Sequence, residues 1–308
     1  MVYELNSIIV GDCLNAMKQM DDNSVDLVFT SPPYEDARTY GIDFKLKGGE
    51  WVEWCLPRYL ECLRVCKGLV AWVVEGKTRK FRYSATPLKL MVALDAAGVH
   101  LRKPPVFHRV GIPGSGGPDW LRNDYEFIVC GTKGGKLPWS ENAVMGSVPK
   151  YAPGGRMSNR HKDGQRANHE SHDQQLARRR TETSKLKAFH AGELPEGSKL
   201  HTKNDGKGMR TQVYTPPKNA NPGNVLKFNV GGGVMGSKLC HENEAPFPEG
   251  LAEFFIRSFC PSGGVVLDPF CGSGTTLAVA EKSERQWMGI DIRDSQGELS
   301  QRRVSELS

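Results

Sequence analysis

The chain has 308 residues, of which 38% are hydrophobic and 25% are charged, a balance typical of a globular protein with one large core. It contains no apolar run of about 18 residues, and its first residues lack the charged start and long apolar stretch of a signal peptide. Its eight cysteines form no Cys-x-x-Cys pair, which argues against a disulfide framework or a zinc site. We therefore expect a cytoplasmic protein that holds no metal and packs its cysteines in the core.

The net charge of +6 is unevenly distributed along the chain. Residues 150–227 contain 16 Lys and Arg against 7 Asp and Glu, a local excess of +9 that leaves the remainder at about −3. Such an excess is typical of a segment that binds a polyanion such as nucleic acid, although a solvated surface segment has the same composition. The run Arg178-Arg179-Arg180 lies inside this segment.

Short apolar segments rich in β-branched residues recur in the first 137 residues, at 7–10, 25–30, 69–74, 106–110 and 126–130. Their length and composition predict buried strands. Helical patterns lie between them, one over 51–66 with Pro57 as a kink and one that begins near residue 86. In the second helix we expect Thr86 as the N-cap, Pro87 at the first helical position and Gly98 just past the end.

The pattern stops over residues 138–224, where Gly, Pro, Asn, Ser, His and basic residues dominate and no apolar period persists. We interpret this region as an insert or a separate small region. Beyond it the sequence predicts a helix over 248–259, a strand over 265–267, a helix from Thr275 and a strand over 287–290. Alternating strands and helices favour a parallel α/β sheet.

A glycine-rich turn follows the predicted strand at 265–267. The strand ends in Asp268, and the Gly-x-Gly turn from Gly272 to Gly274 opens directly into a helix, where a ligand can approach the backbone closely. A second strand ends in Asp291, 17 residues after Gly274, and an acid at that spacing can accept hydrogen bonds from ribose hydroxyls. The two acids indicate a nucleoside ligand, whereas the Gly-x-Gly turn alone is also compatible with tight packing.

A second motif, Ser31-Pro32-Pro33-Tyr34, follows the predicted strand at 25–30. In open α/β sheets, ligands bind at the carboxyl ends of the strands. Two prolines have no backbone N–H, so the local carbonyls and the Ser31 hydroxyl are presented as acceptors on a stiff turn that suits an amino group. Tyr34 offers a flat face on which a planar base can stack. A rigid loop with no ligand remains the alternative interpretation of this motif alone.

Together the two motifs resemble those of the DNA amino-methyltransferases. Ser31-Pro32-Pro33-Tyr34 is similar to the catalytic tetrapeptide of that family, and residues 268–276 are similar to its cofactor loop. Residues 245–249 resemble a further cofactor-side motif, and residues 9–14 resemble the segment that lies near the adenine of the cofactor. The resemblance covers about residues 5–137 and 228–304.

The resemblance implies S-adenosylmethionine as the cofactor and DNA with a flipped-out target base as the partner. The catalytic residues would be Ser31, Pro32, Pro33 and Tyr34. The cofactor-binding residues would be Asp12, Phe247, Pro248, Asp268, Phe270, Gly272, Ser273, Gly274, Thr275 and Asp291. A partner restriction endonuclease is compatible with this family, but the sequence does not identify one.

The order of the motifs is that of the β group of this family, in which the catalytic motif precedes the cofactor loop. The implied fold is a Rossmann-like, S-adenosylmethionine-dependent α/β methyltransferase fold with circularly permuted motif order. Residues 1–137 would form its catalytic part and residues 225–308 its cofactor-binding part, with the first strand beside the last in one sheet. The basic insert at 138–224 would be the target recognition region, in which Arg178, Arg179 and Arg180 contact DNA.

The implied reaction is direct attack by an exocyclic amino nitrogen of the base on the sulfonium methyl group. Ser at position 31 resembles mainly the cytosine-N4 enzymes, and adenine N6 remains the alternative. Methylation at cytosine C5 needs a cysteine nucleophile, which the C5 family places in a Pro-Cys dipeptide, and this sequence contains no Pro-Cys. Protein-glutamine methyltransferases use a similar turn but place the cofactor loop before it. A catalytically inactive DNA-binding protein with the same fold remains a further alternative.

Overall fold

The computed structural model describes residues 3–36, 44–111, 119–147, 199–204, 209–214, 219–231, 237, 239 and 246–307. The chain divides into two compact units. The larger unit contains residues 1–145 and 223–308, and the smaller unit contains residues 146–222. In the smaller unit, β9 (Lys199–Asn204) pairs with β10 (Met209–Tyr214) in antiparallel orientation. Arg178, Arg179 and Arg180 lie outside the described residues.

The described strands of the larger unit are β1 (Ser7–Val10), β2 (Val25–Thr30), β3 (Cys66–Val74), β4 (Thr78–Arg79), β5 (Arg82–Tyr83), β6 (His100–Leu101), β7 (Val106–Val110), β8 (Tyr125–Thr132), β11 (Val225–Asn229), β12 (Val265–Asp268) and β13 (Gln286–Asp291). Its described α-helices are α1 (Cys13–Lys18), α2 (Gly48–Val65), α3 (Thr86–Ala96), α4 (Glu249–Phe259), α5 (Thr275–Lys282) and α6 (Asp294–Ser305). The segment Asn142–Met145 forms a 3-10 helix.

Nine of the described strands form one sheet, in the order β1-β13-β12-β2-β3-β8-β7-β11, with β6 paired to β8. The strands from β1 to β3 run parallel, and β8 runs antiparallel to both β3 and β7. The pairing of β1 with β13 places Ser7 opposite Met288 and confirms that the first predicted strand lies beside the last. The carboxyl ends of β13, β12, β2 and β3 therefore lie at one edge of the sheet.

Helices cover both faces of this sheet. Buried residues of α1, α2 and α3 pack on one face, and buried residues of α4, α5 and α6 pack on the other. The side chains of β2 alternate between the two layers: Val28 faces the first helix layer, and Leu27 and Phe29 face the second. A strand covered on both sides needs apolar residues at every position, which explains the continuous apolar runs of the sequence. The result is the expected three-layer α/β architecture.

The start of α3 differs from our prediction. Thr86 is the first helical residue rather than the N-cap, and Ala85 precedes it in the left-handed conformation at φ +55°. The Thr86 hydroxyl donates to the Glu35 carboxylate, with 3.4 Å between the oxygens, instead of capping the helix. Pro87 is consequently the second helical residue. The end of the helix is as predicted, since Gly98 follows it at φ +83°.

Seven cysteines lie in the described part of the chain, and all seven are buried and free. Burial raises the pKa of their thiols, for Cys66 and Cys130 to about 12. They behave as small apolar packing residues, as expected. Among the described residues, no helix has the length and apolar character to span a membrane.

The smaller unit is shorter than the insert that we predict over 138–224. Leu137 and Met145 pack on the core of the larger unit, and the Glu141 amide donates to the Ser258 carbonyl of α4 at 2.9 Å. The composition of residues 138–145 gives no periodic signal, so these contacts are not visible in the sequence. The chain leaves the larger unit only after residue 145.

The strands β2 and β3 approach each other closely at Gly68. A Cβ atom at this position would overlap the backbone carbonyl oxygen of Asp26, which cannot move without breaking the strand pairing. We expect Gly68→Ala to lower the free energy of unfolding by about 1–3 kcal/mol in urea titrations. The control is Gly49→Ala in α2, where a Cβ meets no atom within 4 Å and should raise stability slightly. Equal stability of Gly68→Ala and the native chain would contradict this account.

Candidate active site

One cavity lies at the edge of the sheet where β12, β13 and β2 end. The turn after β2 contributes Ser31 and Pro33 to its lining, and the glycine-rich loop after β12 contributes Gly272 and Ser273. The other predicted site residues that line it are Asp12, Phe247, Phe270, Thr275 and Asp291. The structure therefore brings the two sequence motifs to a single cavity, although about 240 residues separate them in the chain.

The glycine-rich loop depends on two glycines in the left-handed region, Gly272 at φ +49° and Gly274 at φ +72°. A Cβ on Gly274 would also lie 3.0 Å from the backbone of Ser300 in α6. The Ser300 hydroxyl donates to the Gly272 carbonyl at 2.7 Å. Other residues would strain this backbone and push α6 away, so the sequence motif here specifies a conformation.

Arg303 of α6 supports the same loop from behind, and our sequence analysis missed it. Its buried guanidinium donates to the Thr275 hydroxyl at 2.8 Å and to the Ser273 carbonyl at 3.3 Å. The second Nη atom pairs with the Glu249 carboxylate at 2.8 Å, so the buried charge is neutralised. In the sequence, the role of Arg303 in holding the loop is indicated only by its position, since it lies on the same helix face as Leu299.

Asp268 lies behind the cavity wall rather than in it. Its carboxylate accepts a hydrogen bond from the Thr30 hydroxyl at 2.5 Å and one from the Phe270 amide at 3.1 Å. Burial raises the pKa of Asp268 to about 6. The side chain links the end of β12 to the end of β2, so it positions both loops relative to each other.

Asp291, at the end of β13, does line the cavity. Its carboxylate accepts hydrogen bonds from the amides of Gly272 and Arg293, each at 3.0 Å. Burial raises the pKa of this carboxyl group above its usual value. A carboxylate can accept about four hydrogen bonds, so acceptor capacity remains for a ligand in the cavity.

Asp12 also lines the cavity, at the N-cap of α1, where it accepts from the Asn15 amide at 3.0 Å. Arg58 of α2 donates to the same carboxylate at 2.8 Å, and its guanidinium lies 4.0 Å from the ring centroid of Trp54. Burial acts to raise the pKa of Asp12, but the hydrogen bonds from Arg58 and Asn15 outweigh it and lower the pKa. Trp54 and Arg58 also line the cavity, and we did not predict them, because their i,i+4 spacing is common in helices.

The proline turn is held by contacts on both sides. The Trp51 indole donates to the Pro33 carbonyl at 2.8 Å, and the Tyr34 hydroxyl donates to the Glu126 carboxylate at 2.8 Å. Pro32 is buried, and Tyr34 is half-buried beside the cavity lining. The aromatic ring of Tyr34 is thus fixed at its hydroxyl end. Pro248 and Gly274, the remaining predicted residues, lie at the N-cap positions of α4 and α5.

A buried acid cluster extends from Tyr34 along the ends of the neighbouring strands. Arg109 of β7 pairs with Glu126 of β8 at 3.2 Å. Glu75, directly after β3, is 8% exposed, and burial together with the nearby charge of Glu126 raises its pKa to about 7. Burial also raises the pKa of Glu126. The members come from distant parts of the chain, and no local motif reveals the cluster.

Glu75 gives the protein a pH-dependent stability. Its pKa is 4.5 in its usual state and about 7 in the folded protein, so the folded state binds the proton more tightly. Stability should fall as pH rises from 4.5 to 7 and the cost of the buried charge appears. We expect Glu75→Gln to raise the melting temperature at about pH 8 and to change it little at about pH 5. Measured in thermal unfolding, an equal effect at both pH values would contradict this origin, and Glu298→Gln at an exposed position of α6 is the control.

Comparisons of sequence and fold relate this chain to known proteins. Residues 25–302 match the N6/N4 methyltransferase family, described as DNA methylase. The orphan methyltransferase M.BamHII of Bacillus amyloliquefaciens is 27% identical over 303 residues, which cover 96% of this chain and 90% of that protein. The DNA adenine methyltransferase YhdJ of Escherichia coli (strain K12) is 24% identical over 314 residues, 99% of this chain and 84% of YhdJ.

The fold matches that of a solved structure, PvuII DNA methyltransferase, described as cytosine-N4-specific. The TM-score is 0.62 at 18% sequence identity, and the match covers 96% of this chain and 85% of that one. At this identity the likeness concerns the fold. The family match, in contrast, extends over most of the sequence and includes both motifs of the cavity. The chain therefore belongs to the N6/N4 family of DNA methyltransferases.

Proposed function

We propose that this protein transfers a methyl group from S-adenosylmethionine to the exocyclic N4 of cytosine in DNA. The observation that carries the proposal is the single cavity into which the Ser31 turn and the glycine-rich loop both face. A methyl donor bound on one wall and a base bound on the other would meet inside it. Holding the two reactants in line can lower the barrier of a direct displacement by about 7–11 kcal/mol.

The cavity fits a nucleoside cofactor that carries a positive charge. Phe247 and Phe270 supply flat apolar surfaces, Asp291 supplies a carboxylate for ribose hydroxyls, and Asp12 supplies a second one. The glycines at 272 and 274 keep side chains away from the backbone where the ligand approaches. When bound, S-adenosylmethionine supplies an electrophilic methyl group on its sulfonium sulfur. Asp268 contributes indirectly in this proposal, because it fixes the loop through Phe270 and Thr30.

The residues of the turn would orient the target amino group. The Ser31 hydroxyl and the Pro32 carbonyl would accept its two hydrogens and favour the pyramidal form, in which the nitrogen lone pair is free to attack. The oriented nitrogen would accept the methyl group that the bound cofactor would supply, which would leave the cofactor as a neutral thioether, and the proton lost from the nitrogen would pass to solvent. The Tyr34 ring would stack on the base, since its hydroxyl is already held by Glu126. The base must leave the duplex to reach this turn.

Cytosine N4 is our first choice because Ser31 leads the tetrapeptide, as in the cytosine-N4 enzymes that the motif resembles. The similarity to YhdJ, named a DNA adenine methyltransferase, favours adenine N6 as the second candidate. Both amino groups offer the same pair of hydrogens to Ser31 and Pro32, so the reaction class is common to both candidates.

We assign sequence-specific DNA contact to the basic insert at 138–224 with its run Arg178-Arg179-Arg180. The local excess of +9 over residues 150–227 supports this assignment. Arginine and lysine side chains bind phosphates through release of counterions, and arginine also reads guanine edges. The antiparallel pair β9 and β10 provides a regular element within this region.

Asp291→Ala tests the cofactor site. The substitution removes the proposed ribose acceptor and should weaken S-adenosylmethionine binding by about 10- to 100-fold in titration calorimetry. Thermal unfolding of the same variant checks that the loop, which Asp291 also holds, remains folded. The control is Asp95→Ala at an exposed position of α3, which should bind as the native chain does. Native affinity in a folded Asp291→Ala variant would sink the assignment.

Ser31→Ala tests the catalytic turn. We expect the variant to bind the cofactor normally and to transfer methyl roughly 100-fold more slowly, because one aligned acceptor is lost. The product is identified by mass spectrometry of digested DNA after reaction with the native chain. N4-methylcytosine supports the first candidate, and N6-methyladenine alone replaces it with the second. Native turnover in Ser31→Ala would exclude the proposed role of the turn.

A further inference from the structure

A short hairpin projects from the carboxyl edge of the sheet just beyond β3. Its strands β4 and β5 pair with Thr78 opposite Tyr83 and Arg79 opposite Arg82, which leaves a two-residue turn. Both turn residues are in the left-handed region, Lys80 at φ +45° and Phe81 at φ +63°. This is the geometry of a type I′ turn, which normally requires Asn or Gly. A phenylalanine held in such a conformation is strained, and strain of this kind concentrates at functional positions.

The ring of Phe81 is 89% exposed at the tip of this hairpin. Two further exposed apolar side chains, Trp120 at 78% and Leu121 at 80%, shortly precede β8. Because β8 runs antiparallel to β3, it begins at the edge of the sheet where the parallel strands end. Lys80 and Arg82 flank the exposed ring and are exposed as well. The edge that holds the candidate active site thus presents aromatic surface next to positive charge.

The base of the hairpin is fixed to the proline turn. The Lys77 amide donates to the Glu35 carboxylate at 2.9 Å, and its ammonium group donates to the Asp36 carbonyl at 3.1 Å. Arg79 forms an ion pair with the Asp36 carboxylate. Glu35 and Asp36 directly follow Tyr34 in the chain and are buried. These contacts set the position of the hairpin relative to the turn that would receive the base.

We propose that Phe81 enters the DNA duplex and stacks in the space that the target nucleotide leaves when it is flipped out. The inference rests on the proposed function and adds a residue to it. Extrusion of a base costs its stacking and pairing energy, and an aromatic ring that stacks between the neighbouring bases offsets part of that cost. Lys80 and Arg82 match the phosphates on either side. Because the hairpin is attached to the proline turn, the distance between the Phe81 ring and the base pocket is fixed.

The experiment compares two DNA duplexes that contain the methylation site, one with the target base paired and one with it opposite an abasic position. Phe81→Asn removes the ring but retains a residue that tolerates a positive φ, so the turn is preserved. We expect it to methylate the paired duplex about 10- to 100-fold more slowly than the native chain. On the abasic duplex, where little pairing must be broken, the rate should return to within about threefold of the native rate.

Three comparisons make the outcome decisive. Phe81→Tyr keeps an aromatic ring and should retain near-native rates on the paired duplex. Val92→Ala removes a 70% exposed apolar side chain from α3 and should change neither rate. Cofactor affinity should be unchanged in all variants. A native rate of Phe81→Asn on paired DNA, or an equal loss on both duplexes, overturns the role of Phe81 alone. Absence of methyl transfer by the native chain overturns the proposed function and this inference together.

Discussion

The hydrogen bond between Thr30 and Asp268 is the contact on which the site depends. The backbone pairing of β2 with β12 ends at Val28 and Leu267. Beyond this pair, the side chains of Thr30 and Asp268 continue the connection between the strands, with 2.5 Å between their oxygens. One carries the chain into the proline turn and the other into the glycine-rich loop. Because the carboxylate is buried and paired, a change in either partner would leave an unsatisfied polar group between the two central strands.

Each wall of the cavity has a separate support. Ser300 and Arg303 of α6 hold the glycine-rich loop from one side of the sheet. Trp51 of α2 and Glu126 of β8 hold the proline turn. Supports of this kind fix a site before any ligand binds, so less binding energy is lost in ordering it. Burial raises the pKa of Glu75 and Glu126 and so disfavours their charged forms, a shift that proteins often show at functional sites.

The strands and both motifs could be predicted because their signals are local. A strand covered on two faces is continuously apolar, as at Val25–Thr30, and the glycine-rich loop needs particular residues for its backbone. The supports could not be predicted, since Arg303, Glu126 and Trp51 reach the site only through the folded topology. The hairpin at 78–83 is too short for a periodic signal, and its turn lacks the usual Asn or Gly. The residue type of Thr86 predicts an N-cap, whereas in the structure its hydroxyl donates to the buried Glu35 carboxylate.

The partnership of the first strand with the last has a consequence for synthesis. Ser7 pairs with Met288, so β1 cannot pair with β13 before the ribosome has made residues 286–291. At roughly 5–20 residues per second, translation of 308 residues lasts on the order of 15 to 60 seconds. For much of that time the apolar β2 and β3 exist without β12, so one edge of β2 lacks its neighbour and is open to other nascent chains. Closure of the sheet by β12 and β13 is therefore a long-range step that comes late in synthesis, and the early strands are prone to aggregation before it.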